Sequence, residues 1–222
     1  MPTAVLIDGA YFLKRYRALM KAPEQLSPQA VARNLFRWAL SHLEDKDYGP
    51  RGLYRIFYYD CPPLTKKAHH PITGKPIDFS KTKEAEFRLA LHRELCKLRK
   101  VALRLGRLSE FASWLIKPQT VKLLLSRKIQ VEELTEADVF YDVRQKGVDM
   151  RIGLDIASLA FKRQVDQIVL FAGDSDFVPA AKLARREGID FVLDPMWQPI
   201  PDDLHEHIDG LRSTCPKPTF RA

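Results

Sequence analysis

Two short, unbroken apolar runs constrain this chain more than any other feature. Ala4-Val5-Leu6-Ile7 stops at Asp8-Gly9, and the segment 166–172 (DQIVLFA) stops at Gly173-Asp174-Ser175-Asp176. Neither run alternates apolar with polar residues, so neither suits a strand with one wet face. Continuous apolar strands of this length belong to parallel sheets covered on both sides. Residues 53–59 (LYRIFYY) are aromatic and β-branched and read as a second strand. Residues 101–105 and 189–193 read as further strands. Between them lie helical stretches. These are 10–20; 28–44, opened by Ser27-Pro28; the basic stretch 83–100, capped by Thr82; 148–163; 177–187, closed by Gly188; and a short 202–211. The alternation predicts an α/β chain with a mostly parallel central sheet flanked by helices. Residues 61–80 read as a polar loop. Residues 106–146 show no clean period, and we read them as an inserted or peripheral segment of one domain spanning 1–222.

Open parallel sheets bind ligands beyond the carboxyl ends of their strands, at the point where the strand order reverses. Asp8, Asp174 and Asp176 all follow strands, so they are expected at one edge. Asp149, in Lys146-Gly147-Val148-Asp149, falls in the first turn of a helix, where a carboxylate suits the dipole. Gathered carboxylates repel, and protons or a cation must offset the repulsion. Oxygen ligands without His or Cys favour Mg²⁺ or Mn²⁺ over Zn²⁺. Such a metal can activate a water and stabilise charge on a phosphate. Each aspartate alone has a simpler reading. Asp8 and one of Asp174 and Asp176 could be helix N-caps, and Asp149 a first-turn residue. The site rests on their joint placement. Asp60 and Asp194 also follow strands but are expected further from the centre, in structural roles. Asp155 lies about 240° round the helix from Asp149, so it reads as a supporting carboxylate behind the cluster.

Charge points to the partner. The chain carries 36 Lys+Arg and 28 Asp+Glu, a net charge of +8. Residues 1–107 hold 21 basic and 10 acidic residues, and residues 108–222 hold 15 and 18. A basic half beside an acidic half fits a polyanion and a carboxylate-rich site. Arg88, Arg93 and Lys97 on the basic helix, together with Lys146 and Ser175, are the candidate nucleic-acid contacts. A merely solvated face is the competing reading. His69-His70 and His205/His207 lack the spacing of a helical metal pair and read as surface residues. Three scattered cysteines, Cys61, Cys96 and Cys215, exclude a disulfide framework and suit a reducing, cytoplasmic setting. No apolar run reaches the roughly 20 residues of a membrane span, and the N-terminus does not resemble a signal peptide.

Four segments, in order, resemble the NYN domain family, in particular its LabA-like branch, within the PIN-like nucleases. They are Val5-Leu6-Ile7-Asp8-Gly9-Ala10, Tyr58-Tyr59-Asp60-Cys61-Pro62-Pro63, Gln145-Lys146-Gly147-Val148-Asp149 and Ala172-Gly173-Asp174-Ser175-Asp176-Phe177-Val178-Pro179. Arg185-Arg186-Glu187-Gly188 continues the likeness. The resemblance implies a PIN-like three-layer sandwich and an endoribonuclease dependent on Mg²⁺ or Mn²⁺, with its acidic site on Asp8, Asp149, Asp174 and Asp176. It is also what implies RNA rather than DNA. One departure is Tyr11, where many members have Asn.

The leading expectation is therefore a metal-dependent endoribonuclease. The alternative is a non-catalytic RNA-binding module on the same fold. A haloacid-dehalogenase-type phosphatase is disfavoured, because that chemistry needs an Asp where Ala10 stands. Whether the chain works as a homo-oligomer is left open by the sequence.

Overall fold

A computed structural model describes residues 2–45, 49–109 and 111–218. Six strands form one wholly parallel sheet: β1 (Thr3–Asp8), β2 (Leu53–Asp60), β3 (Val101–Leu105), β4 (Gln167–Phe171), β5 (Asp190–Asp194) and β6 (Gly210–Leu211). Their spatial order is β6-β5-β4-β1-β2-β3. The chain builds outward from β1 in one direction through β3. It then crosses back to β4 and builds outward in the other. The order reverses between β1 and β4, which is where a doubly wound sheet opens its ligand crevice.

The strands' side chains alternate between two cores. Val5, Ile7, Ile56, Tyr58, Val169 and Phe171 face α1 (Gly9–Leu19), α2 (Pro28–Ser41) and α3 (Lys83–Cys96), meeting Phe12, Tyr16, Leu35, Trp38 and Leu91. Ala4, Leu6, Phe57, Tyr59, Ile168 and Leu170 face α5 (Val148–Phe161) and α6 (Val178–Arg186), meeting Ile152, Ile156, Ala181 and Ala184. The result is a three-layer α/β/α sandwich. Both strand faces are buried, which explains the unbroken apolar runs. The helix starts follow the caps legible in the sequence: Ser27 Oγ accepts from Ala30 N, and Thr82 Oγ1 from Ala85 N.

Three segments depart from the expectation. Residues 61–80 contain an antiparallel ribbon, 67–69 with 76–78, rather than loop alone. Residues 107–146 leave and return through a narrow neck in which 107–108 pairs with 145–146. Beyond that neck are a second ribbon, 113–116 with 139–142, and the helix α4 (Pro118–Leu125). Their strands are too short to print a period on the sequence. The final helix, α7, covers only Asp202–His205, and 210–211 is instead the edge strand β6. Among the described residues no helix is long and apolar enough to cross a membrane.

The excursion that follows β2 and the one that follows β3 pack on each other beyond the carboxyl edge of the sheet. Phe79 stacks on Tyr141 with ring centres 4.8 Å apart, and His70 meets Trp114 edge-on at 4.8 Å. His70 is thus buried, not a surface residue: Trp114 covers it, and its Nδ1 accepts from the amides of Ile72 and Thr73.

Candidate active site

The carboxyl ends of β1 and β4 lie side by side, in register from Thr3↔Gln167 to Ile7↔Phe171. Asp8 closes β1 and caps α1, with its Oδ1 accepting from the amides of Ala10 (2.9 Å) and Tyr11 (3.1 Å). Beyond β4, Asp174 caps a single 3₁₀ turn, Ser175–Phe177, and accepts from Asp176 N at 3.1 Å. Asp149 lies in the first turn of α5, which Gly147 opens with φ of +78°. A left-handed residue is needed there to swing the chain from the neck into the helix, and glycine takes that conformation without strain. The amino ends of α1 and α5 therefore meet at this edge, with the turn that leads into α6. Helix amino ends favour negative charge, which partly offsets the crowding of carboxylates.

The electrostatics tie the four residues together. Burial pushes the Asp8 carboxyl up from 3.8 to about 6, against the two amide hydrogen bonds, and the Asp149 charge adds to the rise. Burial also raises Asp149, and the charges of Asp176 and Asp174 raise it further. Among the described residues, no Lys, Arg or His forms an ion pair with any of the four. Other strand-end carboxylates are treated differently. Asp60 is fully buried and held by Arg88 Nη1, by His92 Nε2 at 2.9 Å and by Cys61 N at 2.8 Å. Asp194, also fully buried, meets His42 Nε2 at 2.8 Å and accepts from Thr214 and Met196. These two have the structural roles the sequence suggested.

The donor chemistry of the four aspartates suits a hard divalent cation. Their side chains, however, are not drawn together in this geometry: no group of three His, Cys, Asp or Glu among the described residues is close enough to hold a metal. Asp149, Asp174 and Asp176 are exposed.

The remaining sequence candidates are scattered. Lys146 is exposed in the neck, with its Nζ 5.8 Å from the Phe111 ring, three residues before Asp149. Ser175 Oγ donates to Asp203 of α7 at 2.8 Å. Arg88 is engaged by Asp60 and Glu84. Arg93 and Lys97 lie toward the carboxyl end of α3, which runs away from the site, and Lys97 pairs with Glu94. Asp155 accepts from Tyr59 Oη at 2.8 Å and pairs with Arg104, so it braces β2 and β3 and does not join the cluster.

Sequence reasoning missed a contact built by Tyr11 and Gly173. Tyr11 Oη donates to Pro195 O at 2.7 Å, tying the end of β5 to α1. A Cβ on Gly173 would come within 2.8 Å of the Tyr11 ring. The ring therefore occupies space that only glycine leaves, and burial raises the Tyr11 phenol well above its usual range. The glycine two residues after β4 was the available signal.

A parallel doubly wound sheet with helices on both faces and acidic residues at its switch point is the architecture of a PIN-like sandwich. Residues 91–198, just under half of the chain, match the family model of the NYN domain. The matched stretch holds Asp149, Asp174 and Asp176 and begins after Asp8. The NYN domain is a PIN-like nuclease domain, a class that acts on nucleic acid and generally uses divalent metal ions. Neither the comparison with curated proteins nor that with solved structures gave a match.

Proposed function

We propose that the chain is an endoribonuclease that hydrolyses RNA phosphodiester bonds with Mg²⁺ or Mn²⁺ held by Asp8, Asp149, Asp174 and Asp176. One observation carries this reading. These four carboxylates stand at the switch point without cationic partners, while nearby Asp60 is paired with Arg88 and Asp194 is hydrogen-bonded to His42. A protein tolerates uncompensated like charges where a ligand supplies the opposite charge. The metal would provide a hydroxide-like nucleophile and charge stabilisation on the phosphate. The chain's own part is positional. Asp8 is fixed by two backbone amides, Asp174 is fixed by its turn, and Asp149 is carried on α5. The net charge of +8 supports attraction of the RNA backbone.

The spread of the carboxylates in this geometry is what favours the second reading, a non-catalytic RNA-binding module. One experiment separates the two. RNA is incubated with wild type and Asp174→Asn, with EDTA and with Mg²⁺ or Mn²⁺ restored. The nuclease reading expects metal-dependent cleavage by wild type and none by the variant, with unchanged circular dichroism. Equal cleavage by both proteins, or cleavage that survives EDTA, would overturn it. Binding without any cleavage would establish the module.

A further inference from the structure

A cavity of about 380 Å³ lies between the two excursions, beyond the carboxyl end of β2. It is within the range of about 300–1,000 Å³ usual for small-molecule sites. Its walls include Pro62, Pro63, Phe79 and Tyr141, with Arg88 and Gln145 among the polar lining. Both polar groups are fixed by one buried anchor: Arg88 Nη1 and Gln145 Nε2 each donate to Asp60 Oδ1. The Gln145 carboxamide oxygen accepts no hydrogen bond among the described residues. Apolar walls, with the stacked Phe79–Tyr141 pair at one side, and a few pinned polar groups suit a planar heterocycle with donors and acceptors on its edge.

Position and charge select the occupant. β2 is the immediate neighbour of β1, and Asp8 is paired in register with Tyr59, one residue before Asp60. The cavity therefore opens on the same sheet edge as the carboxylates. The rim is basic. Lys66 Nζ is 6.0 Å from the Tyr141 ring, and Lys81, Lys83 and Arg144 are exposed beside lining residues. Cations around an aromatic slot match a base attached to a phosphate chain.

We propose that this cavity takes one unpaired nucleobase of the RNA, close to the bond presented to the carboxylates, so that the excursions select single-stranded substrate. The inference rests on the nuclease reading only for the word substrate, because base capture is measurable without catalysis.

The test uses Val143→Trp, which fills the cavity, in the Asp174→Asn background. Fluorescence anisotropy compares a short single-stranded RNA with the same strand made abasic. Filling the cavity is expected to weaken binding of the intact strand about tenfold or more, the usual worth of one stacked base, and to leave the abasic strand unchanged. Pro63→Trp asks the same question from the other wall should Val143→Trp fail to fold. Equal loss for both strands, or loss for neither, would overturn the proposal. Cleavage by wild type with no such base dependence would sink the cavity and keep the nuclease. Base-dependent binding without cleavage would do the reverse.

Discussion

Asp8→Asn should stabilise the metal-free protein at neutral pH. Asp8 is a half-buried carboxyl whose acidity has moved from 3.8 to about 6, first through burial and then through Asp149. Its folded-state value is above its unfolded value, so the folded chain binds the proton more tightly. Stability from this group is fully present below about pH 4 and is lost as pH rises to about 6. That gap is worth roughly 3 kcal/mol, and partial exposure reduces it to about 2 kcal/mol. Asn keeps an oxygen for the amides of Ala10 and Tyr11 and is as good an N-cap as Asp. What the substitution removes is the charge.

Urea unfolding in EDTA, followed by tryptophan fluorescence, measures the difference. Near pH 4 the two proteins should be about equally stable. Near pH 7.5 the variant should be more stable by about 2 kcal/mol, or roughly 4–8 °C in Tm for a chain of this size. Adding Mn²⁺ should raise the wild type and narrow the gap, because a cation that binds only the folded carboxylates stabilises by mass action. A difference that does not change with pH, or a variant less stable near pH 7.5, would refute the claim that an uncompensated charge sits at the end of β1.

Two further perturbations probe the frame of the site. Arg88→Met leaves the buried Asp60 without its guanidinium and should cost about 3–5 kcal/mol in urea unfolding; adding Asp60→Asn should recover part of that loss, and a strictly additive double variant would disprove the pairing. Gly9→Ala would put a Cβ 2.5 Å from Tyr59 O and 2.7 Å from the Tyr58 ring, so the start of α1 must move away from β2; we expect a loss of at least about 2 kcal/mol, together with reduced cleavage, and a neutral effect would contradict the close packing of α1 on β2.

The sequence disclosed whatever repeats on the scale of a strand or helix and hid whatever depends on distant segments meeting. The buried sheet was legible because β1 and β4 are covered on both faces, which favours the apolar residues at 4–7 and 168–171. The placement of Asp8 and Asp174 then followed from strand ends alone. The neck at 107–108 and 145–146 was not legible, because two-residue strands leave no period. Its glycine, Gly106, is explained only in three dimensions, where a Cβ would lie 2.9 Å from Lys146 O and 3.2 Å from Cys61 Sγ.

The same distinction accounts for the basic helix. From its sequence, Arg88, Arg93 and Lys97 look like parts of one basic helix awaiting a phosphate chain. In the fold, Arg88 turns toward Asp60, and the helix carries Arg93 and Lys97 away from the carboxyl edge. A 14-residue helix is about 20 Å long, so basic residues of one helix can serve opposite ends of the molecule. The exposed cations beside the cavity come instead from the excursions, at Lys66, Lys81 and Arg144, whereas the strand ends supply Asp8 and Asp174. Under the proposed function, that division would let the excursions vary in the RNA they admit without disturbing the strand ends that hold Asp8 and Asp174.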